Sequence, residues 1–587
     1  MSTLRGTGVS PGIAVGPALI VEHEAGPVFR LALDPGALDA EVERLEQALA
    51  ASAAQLEGIK QRLEHEVGAP HAYIFDAHLL MLRDPLLRAR AVEVVRSEAV
   101  NAEWALRTVS EGLHALFQKF SDAYLRERST DLDDVIGRIQ LNLRGSPGAP
   151  TLARLPEPVV LVAGDLRPSE AAALDWERVL AIVTDVGSST YHTAIIARSL
   201  GIPAVAGLEG ATRRIPPGGQ VAVDGARGEV VVEPSPEAIV SLRAAQERHR
   251  REEERLRGTR ALPARTTDGV AVTLEANVEF PEEAATAQQY GATGIGLFRS
   301  EYLLGRGLRF PGEEQQVDVY RRLVEQMHPH PVTVRTWDVG GEAIGPEGPS
   351  SPNPALGERA LRLIERAEEP FRVQLRALLR AAAHGPVRIM FPFVSGPADL
   401  RRALALLEQA KRELRAEGTA FHEEVAVGVN VEVPSAAVVA DLLAGEVDFF
   451  SVGTNDLIQY LLAVDRTDPR VSALYDPWHP AVLRTLDGIA RSAGAAGRAL
   501  SVCGEMAADP LQAALLVGLG FRSLSMTPSA IPRVKEAIRA VSASDAEELA
   551  RRCLRLGSGA EIEAAVRGAL APGDRGASVS SKSAARQ

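Results

Sequence analysis

The chain has 587 residues, of which 46% are hydrophobic and 24% charged, an ordinary globular composition with length for about three to five domains. The 64 basic and 77 acidic residues leave a formal charge of -13; with no long basic run, non-specific nucleic-acid binding is disfavoured. Two cysteines, Cys503 and Cys553, exclude a disulfide framework or a cysteine-rich zinc site. No stretch approaches the ~20 apolar residues of a membrane span and no signal-peptide core opens the sequence, so a soluble cytoplasmic protein is expected.

Only five lysines occur, Lys60, Lys119, Lys411, Lys535 and Lys582, and none follows a glycine. A Gly-Lys-Ser/Thr phosphate loop is therefore impossible, and any phosphate must be met by arginines and backbone amides. The run Gly6-Thr7-Gly8-Val9-Ser10-Pro11-Gly12 only approximates a dinucleotide loop and has no helix-opening pattern behind it.

In chain order, a short strand at 12–21 precedes Leu38, Val42, Leu45, Leu49, Leu56, Ile59 and Leu63, whose spacings of three and four predict a long amphipathic helix with Ser52 in the missing apolar position. Further helical pattern covers 74–95, 101–117 and 132–143, so residues 24–146 read as a helical bundle. Short β-branched runs at 159–162, 179–183, 221–223 and 230–232 predict a small α/β domain made of 1–23 and 147–235, with the bundle inserted between its parts. Residues 236–257 read as a charged linker helix. Eight strand candidates follow at 270–276, 294–298, 332–336, 387–391, 427–431, 449–452, 500–503 and 523–526, the count of a TIM (β/α)8 barrel over 258–571. The Ser- and Ala-rich tail, 572–587, is expected to be disordered.

Active sites of such barrels gather at the carboxyl ends of the strands, and there the chain places Arg299-Ser300-Glu301, Arg335-Thr336-Trp337-Asp338, Glu432, Asn455-Asp456 and Cys503-Gly504-Glu505. Arg299 and Arg335 supply planar forks for phosphate and carboxylate oxygens, and Glu432 and Asp456 are hard ligands that suit Mg2+ shared with substrate. A small phosphorylated acid fits. Cys503 is expected to titrate nearer neutrality beside these cations, as a proton donor or a nucleophile. In the α/β domain, Thr184-Asp185-Val186-Gly187-Ser188-Ser189-Thr190-Tyr191-His192 runs from a strand through a Gly/Ser turn to an apolar helix. A phosphoryl group on His192 would sit where free amides and the helix dipole favour an anion.

The run Asp448-Phe449-Phe450-Ser451-Val452-Gly453-Thr454-Asn455-Asp456-Leu457-Ile458-Gln459-Tyr460, with Asp465-Arg466 after it, resembles Enzyme I of the phosphoenolpyruvate-dependent sugar phosphotransferase system. Gly294 to Glu301, Asn353-Pro354-Ala355-Leu356-Gly357-Glu358-Arg359 and Cys503-Gly504-Glu505 carry the same resemblance. It implies that phosphoenolpyruvate is held by Arg299, Arg335, Asn455, Arg466 and Arg359, that Glu432 and Asp456 bind Mg2+, that His192 takes the phosphoryl group and that Cys503 protonates the enolate to pyruvate. It further implies a phosphohistidine domain that swings between the barrel and the helical domain, a phosphocarrier partner (HPr) docking on the helical domain, a hinge in the linker and a homodimer formed through the barrel. Departures stand at Ser188, Ser189 and Tyr191, where the family usually has Gly, Arg and Ser, at Glu342-Ala343 for the usual Asp-Lys, and at Ala69-Pro70 and Arg83, where acids are usual. The altered histidine loop keeps a second reading open, a regulatory paralogue that binds phosphoenolpyruvate without turnover.

Overall fold

The computed structural model describes residues 2–21, 28–66, 78–79, 81–82, 85–117, 123–144, 155, 157–166, 174–186, 197, 201–304, 310–340, 353–466, 468 and 470–570. His192 with Ser188, Ser189 and Tyr191, the pair Glu342-Ala343, Ala69-Pro70, Arg83 and the tail 572–587 lie outside the described residues. The chain divides into two compact units, Met1–Glu253 and Glu254–Gln587.

In the first unit eight strands form one sheet: β1 (Ser2–Arg5), β2 (Thr7–Ser10), β3 (Ile13–Val21), β4 (Val159–Ala163), β5 (Val179–Thr184), β6 (Ala204–Ala206), β7 (Gln220–Asp224) and β8 (Glu229–Val232). Their order is β1-β8-β7-β3-β4-β5-β6-β2, so the two edge strands are consecutive in the chain and separated by Gly6 alone. The sheet edges are thus drawn together, and backbone meets backbone there. A Cβ on Gly8 would lie 2.4 Å from the Gly225 carbonyl oxygen, and one on Gly225 only 1.9 Å from that of Ser10. The near-miss dinucleotide loop is therefore strand, its Gly8 a packing requirement. Alternate residues of β4 serve opposite cores, Val159, Leu161 and Ala163 on one face and Val160 and Val162 on the other, as period-2 side chains of a doubly covered sheet must.

β3 and β4 are parallel neighbours, with Ala18 opposite Val160 and Val21 opposite Ala163. The chain between them forms α1 (Leu38–Glu66), α2 (Pro85–Glu98), α3 (Ala102–Phe117) and α4 (Ala123–Leu143). Leu45, Leu49 and Leu56 of α1 pack with Leu106 and Val109 of α3 and with Val135, Ile136 and Ile139 of α4. Ser52 holds its place in this apolar face because its hydroxyl donates to the Ala48 carbonyl at 2.7 Å and accepts from Asn142 Nδ2 at 2.8 Å, which satisfies a buried polar group. Helix α5 (Pro236–Thr259) follows β8.

The second unit is a closed barrel of β9 (Thr273–Val278), β10 (Ile295–Arg299), β11 (Val332–Arg335), β12 (Val387–Phe391), β13 (Ala426–Val431), β14 (Phe449–Val452), β15 (Ala499–Val502) and β16 (Ser523–Met526). Each strand is parallel to the next, and β16 returns to β9 with Ser523 opposite Thr273. The TIM-barrel expectation is borne out, and seven strands coincide with their candidates to within one residue at each end. The first is shifted. Val270 is held in a turn by Thr266, whose hydroxyl accepts the Val270 N–H at 2.9 Å, so the strand begins only at Thr273. Because all eight strands run the same way, their carboxyl ends, and the residues just beyond them, share one mouth.

Candidate active site

Four of these strand ends supply arginines and carboxylates, as one pair and one linked chain. Arg299 closes β10, and its Nη1 pairs with Glu279 Oε1 at 2.8 Å, just past β9. Arg335 closes β11; one Nη pairs with Glu301, and the other with Asp338 Oδ2 at 2.8 Å. Arg359 grips the same carboxylate from the other side, Nε to Oδ1 at 3.0 Å and Nη2 to Oδ2 at 2.8 Å, and also reaches Asp456 Oδ2 at 3.2 Å. Arg466 extends the set to the mouth, its Nη2 lying 3.6 Å from Asp456 Oδ1. Asp456 stands in the first turn of helix α6 (Thr454–Leu462), directly after β14.

Glu432 follows β13 and is 1% exposed. Its Oε1 accepts the Phe393 N–H at 2.7 Å, and its Oε2 accepts from Asn430 Nδ2 at 2.5 Å. Burial, and after it the charge of Asp338, pushes this carboxyl up to about 8, with Asp456 adding to the effect and Arg335 and Arg359 opposing it. Asp338 goes the other way. Burial would raise it, but Arg335 and Arg359 outweigh burial and hold it below the ordinary carboxylate value. For Arg335, Glu301, Asp338 and Glu432 outweigh burial and keep the guanidinium charged. Two carboxylates of one cluster thus respond oppositely because only one of them is clasped by two cations.

Cys503 lies one residue past β15, buried with Leu297, Met390 and Phe449. Its single S–H has two acceptors within reach of Sγ, Asn430 Oδ1 at 3.5 Å and the Val452 carbonyl at 3.8 Å. The expectation that nearby cations bring this thiol toward neutrality fails: burial pushes it up to about 11 and Glu432 adds to the rise, against the Ser451 hydroxyl and the charges of Arg335 and Arg299, which lower it. A neutral thiol is the favoured form. Asn455 stands apart from the arginines, exchanging hydrogen bonds with Glu505 at 2.9 and 3.3 Å.

Among the residues of the cluster that carry no assignment from sequence, three stand out. Asp338 organises two arginines. Phe393, two residues past β12, has φ 57, a left-handed conformation that costs a non-glycine residue ~1–2 kcal/mol; it aims its N–H at Glu432 and places its ring 4.8 Å from the Arg359 guanidinium and 4.6 Å from that of Arg362. Asn430 joins Glu432 to Cys503. The position of Asp338 at a strand end was a usable signal; a φ angle and a side-chain bridge leave none.

The barrel with this mouth belongs to a phosphoenolpyruvate-utilising enzyme: family models described as PEP-utilising enzyme match in their N-terminal part over residues 5–128, in their mobile domain over 155–228 and in their PEP-binding domain over 253–543. The phosphoenolpyruvate-protein phosphotransferase of Cupriavidus necator is 40% identical over 580 residues, 96% of this chain and 98% of that protein, and that of Bacillus subtilis is 38% identical over 570 residues, 97% and 99%. A solution NMR structure of an Enzyme I protein is 36% identical and covers 42% of this chain and 99% of that one, with a TM-score of 0.37. This chain belongs to the phosphoenolpyruvate-protein phosphotransferase family, and it is a transferase.

Proposed function

We propose that the protein moves the phosphoryl group of phosphoenolpyruvate to its own His192 and from there to a histidine of an HPr-like phosphocarrier protein, releasing pyruvate as the first step of sugar uptake by a phosphotransferase system. The observation that carries this reading is the chain of contacts Arg335–Asp338–Arg359–Asp456–Arg466 at one barrel mouth. It gathers fixed positive forks for a substrate bearing a phosphate and a carboxylate. Arg299, Arg335 and Arg359 would hold those groups, with Arg466 and Asn455 at the rim.

Glu432 and Asp456 suit Mg2+. They are hard oxygen donors, and a buried carboxyl lifted to about 8 partly by neighbouring acids is one that a cation would restore to its charged form. Among the described residues no group of three or more His, Cys, Asp or Glu forms a cage, which agrees with a cation that takes its other ligands from substrate and water. When bound, Mg2+ would supply charge stabilisation for phosphoryl and enolate oxygens. Arg335 and Arg359 are oriented before substrate arrives, because Asp338 clasps both, so little reorganisation is needed as charge develops. Cys503, kept neutral by burial, would give its proton to the enolate carbon.

The bundle, 24–146, is read as the docking domain for the phosphocarrier, 1–23 with 147–235 as the phosphohistidine domain, 236–257 as the linker, and the barrel, 258–571, as the site of dimerisation. No helix among the described residues is long and apolar enough to cross a membrane, which supports a cytoplasmic setting. Arg299, Glu432, Asp456 and Cys503 at one mouth favour turnover over binding alone. The test is incubation with labelled phosphoenolpyruvate and Mg2+ without ATP. Acid-labile, base-stable label on the peptide containing His192 is expected; binding of phosphoenolpyruvate with no label would transfer the reading to the regulatory paralogue.

A further inference from the structure

The thiol of Cys503 and the carboxylate of Glu432 are connected through one side chain. Asn430 is 2% exposed, and its amide is spoken for at both ends: Nδ2 donates to Glu432 Oε2 at 2.5 Å while Oδ1 accepts from Cys503 Sγ at 3.5 Å. The orientation follows from the partners. Glu432 Oε1 already accepts the Phe393 N–H, and the amide nitrogen serves its other oxygen, which leaves the amide oxygen as acceptor for the thiol hydrogen. The amide oxygen must then face the sulfur. A second acceptor, the Val452 carbonyl, lies 3.8 Å from the same sulfur. A thiol can donate to these oxygens and a thiolate can only be repelled by them. Gly453 leaves room for the amide on its other side, since a Cβ there would fall 2.9 Å from Asn430 Oδ1 and 3.0 Å from Nδ2.

We propose that Asn430 is a positioning residue for proton donation, its amide oxygen holding Cys503 in the S–H form and its amide nitrogen locking that arrangement to Glu432. The proposal rests on the reading of Cys503 as the acid that quenches the enolate. In that step a C–H bond forms at C3 of the enolate of pyruvate as the S–H bond breaks, and the electron pair stays on sulfur. The thiolate then faces two carbonyl oxygens, which together with burial outweigh the help of the Ser451 hydroxyl and keep it a strong base, and it regains a proton from water with release of hydroxide. Asn430 thereby acts on the second half of the reaction, after the phosphoryl group has left, and not on substrate binding.

Asn430→Leu keeps the volume and removes both hydrogen bonds. Its kcat should fall about tenfold, the weight of one hydrogen bond to a reacting group, and the solvent deuterium isotope effect on pyruvate release should rise above that of the wild type as proton transfer becomes limiting. The KM for phosphoenolpyruvate should stay within about twofold and single-turnover labelling of the protein should be unchanged, because binding and phosphoryl transfer precede the affected step. Asn430→Ser, which has no branch to pack, reads the same quantities should the Leu variant not fold. Cys503→Ala separates the two levels of the argument. If it is slow while both Asn430 variants keep wild-type kcat and isotope effect, the role of Asn430 is overturned; if Cys503→Ala itself turns over normally, the acid assignment and the role of Asn430 fall together.

Discussion

Arg359 takes hold of both oxygens of Asp338, at 3.0 and 2.8 Å, while the same carboxylate receives Arg335 at 2.8 Å. The Asp338 side chain is 2% exposed, so the two guanidinium groups are fixed relative to each other by a charge that water barely screens. Asp338→Asn keeps the shape and removes that charge. The KM for phosphoenolpyruvate should rise about tenfold or more as the two forks lose their common anchor, with kcat/KM falling at least in proportion. Steady-state kinetics at saturating Mg2+ decide it, and an unchanged KM would show that the arginines are oriented by their other partners, Glu301 and Asp456.

Glu432 makes the stability of the metal-free protein depend on pH in an unusual direction. Its folded value, about 8, exceeds the ~4.3 of an unfolded glutamate, so between these values the folded state binds more protons than the unfolded state. The contribution of the protonated carboxyl is complete below about 4.3 and is lost as pH rises through about 8. The urea midpoint of metal-free protein should therefore decline from about pH 5 to about pH 8, and Glu432→Gln, neutral throughout, should flatten that decline. Mg2+ affinity should rise over the same interval because the cation competes with a proton. An equal slope in the Gln variant would assign the effect to another group.

Most of the barrel is legible because parallel strands buried on both sides are near-continuous apolar runs, as at Val387–Phe391, broken by Arg388 alone, and Phe449–Val452, broken by Ser451 alone. The expected ends followed from the same runs, and hence Arg299, Arg335 and Glu432 were found at the mouth. β1, β2 and β6 leave no signal in the sequence, since pieces of three or four residues show no alternation and owe their pairing to distant partners, Leu4 to Val230 and Gly8 to Val205, more than 190 residues apart in the chain. The polar site followed the same division. Residue type and strand position point to the arginines and carboxylates, whereas Phe393 and Asn430 act through a backbone angle and a bridge that exist only once β12, β13, β14 and β15 stand side by side. The thiol falls on the same side of this division: sequence shows the cations near Cys503 but not the burial that outweighs them.

That burial has a chemical consequence. With its thiol pushed up to about 11, Cys503 has little thiolate at pH 8, and iodoacetamide should modify it at least about tenfold more slowly than free cysteine. The rate should climb with pH to about 10 rather than level off near 8.5, as read by mass spectrometry of the peptide containing Cys503. Rapid modification at pH 7 would mean that the cations prevail over burial, and the thiol would then be a candidate nucleophile rather than an acid.

Gly453 offers a test of how tightly the carboxylate end of the site is built. Its φ of -83 is open to any residue, so alanine there introduces no backbone strain, and the fold should survive with an unchanged far-ultraviolet circular dichroism spectrum. Space is the constraint. The new methyl would lie 2.9 Å from Asn430 Oδ1, 3.0 Å from Asn430 Nδ2 and 3.0 Å from Glu432 Oε2, all below ordinary contact distance, and these atoms are held by Cys503 and Phe393 and cannot retreat together. Gly453→Ala should therefore displace Glu432, weaken Mg2+ dependence and lower kcat about tenfold or more, since small misplacements of reacting groups are costly. The melting temperature should fall by only a few degrees, about 1–3 kcal/mol of overpacking. Near-normal activity would show that Asn430 and Glu432 can shift as a unit, and that the 2.5 Å bond between them is less fixed than its burial implies.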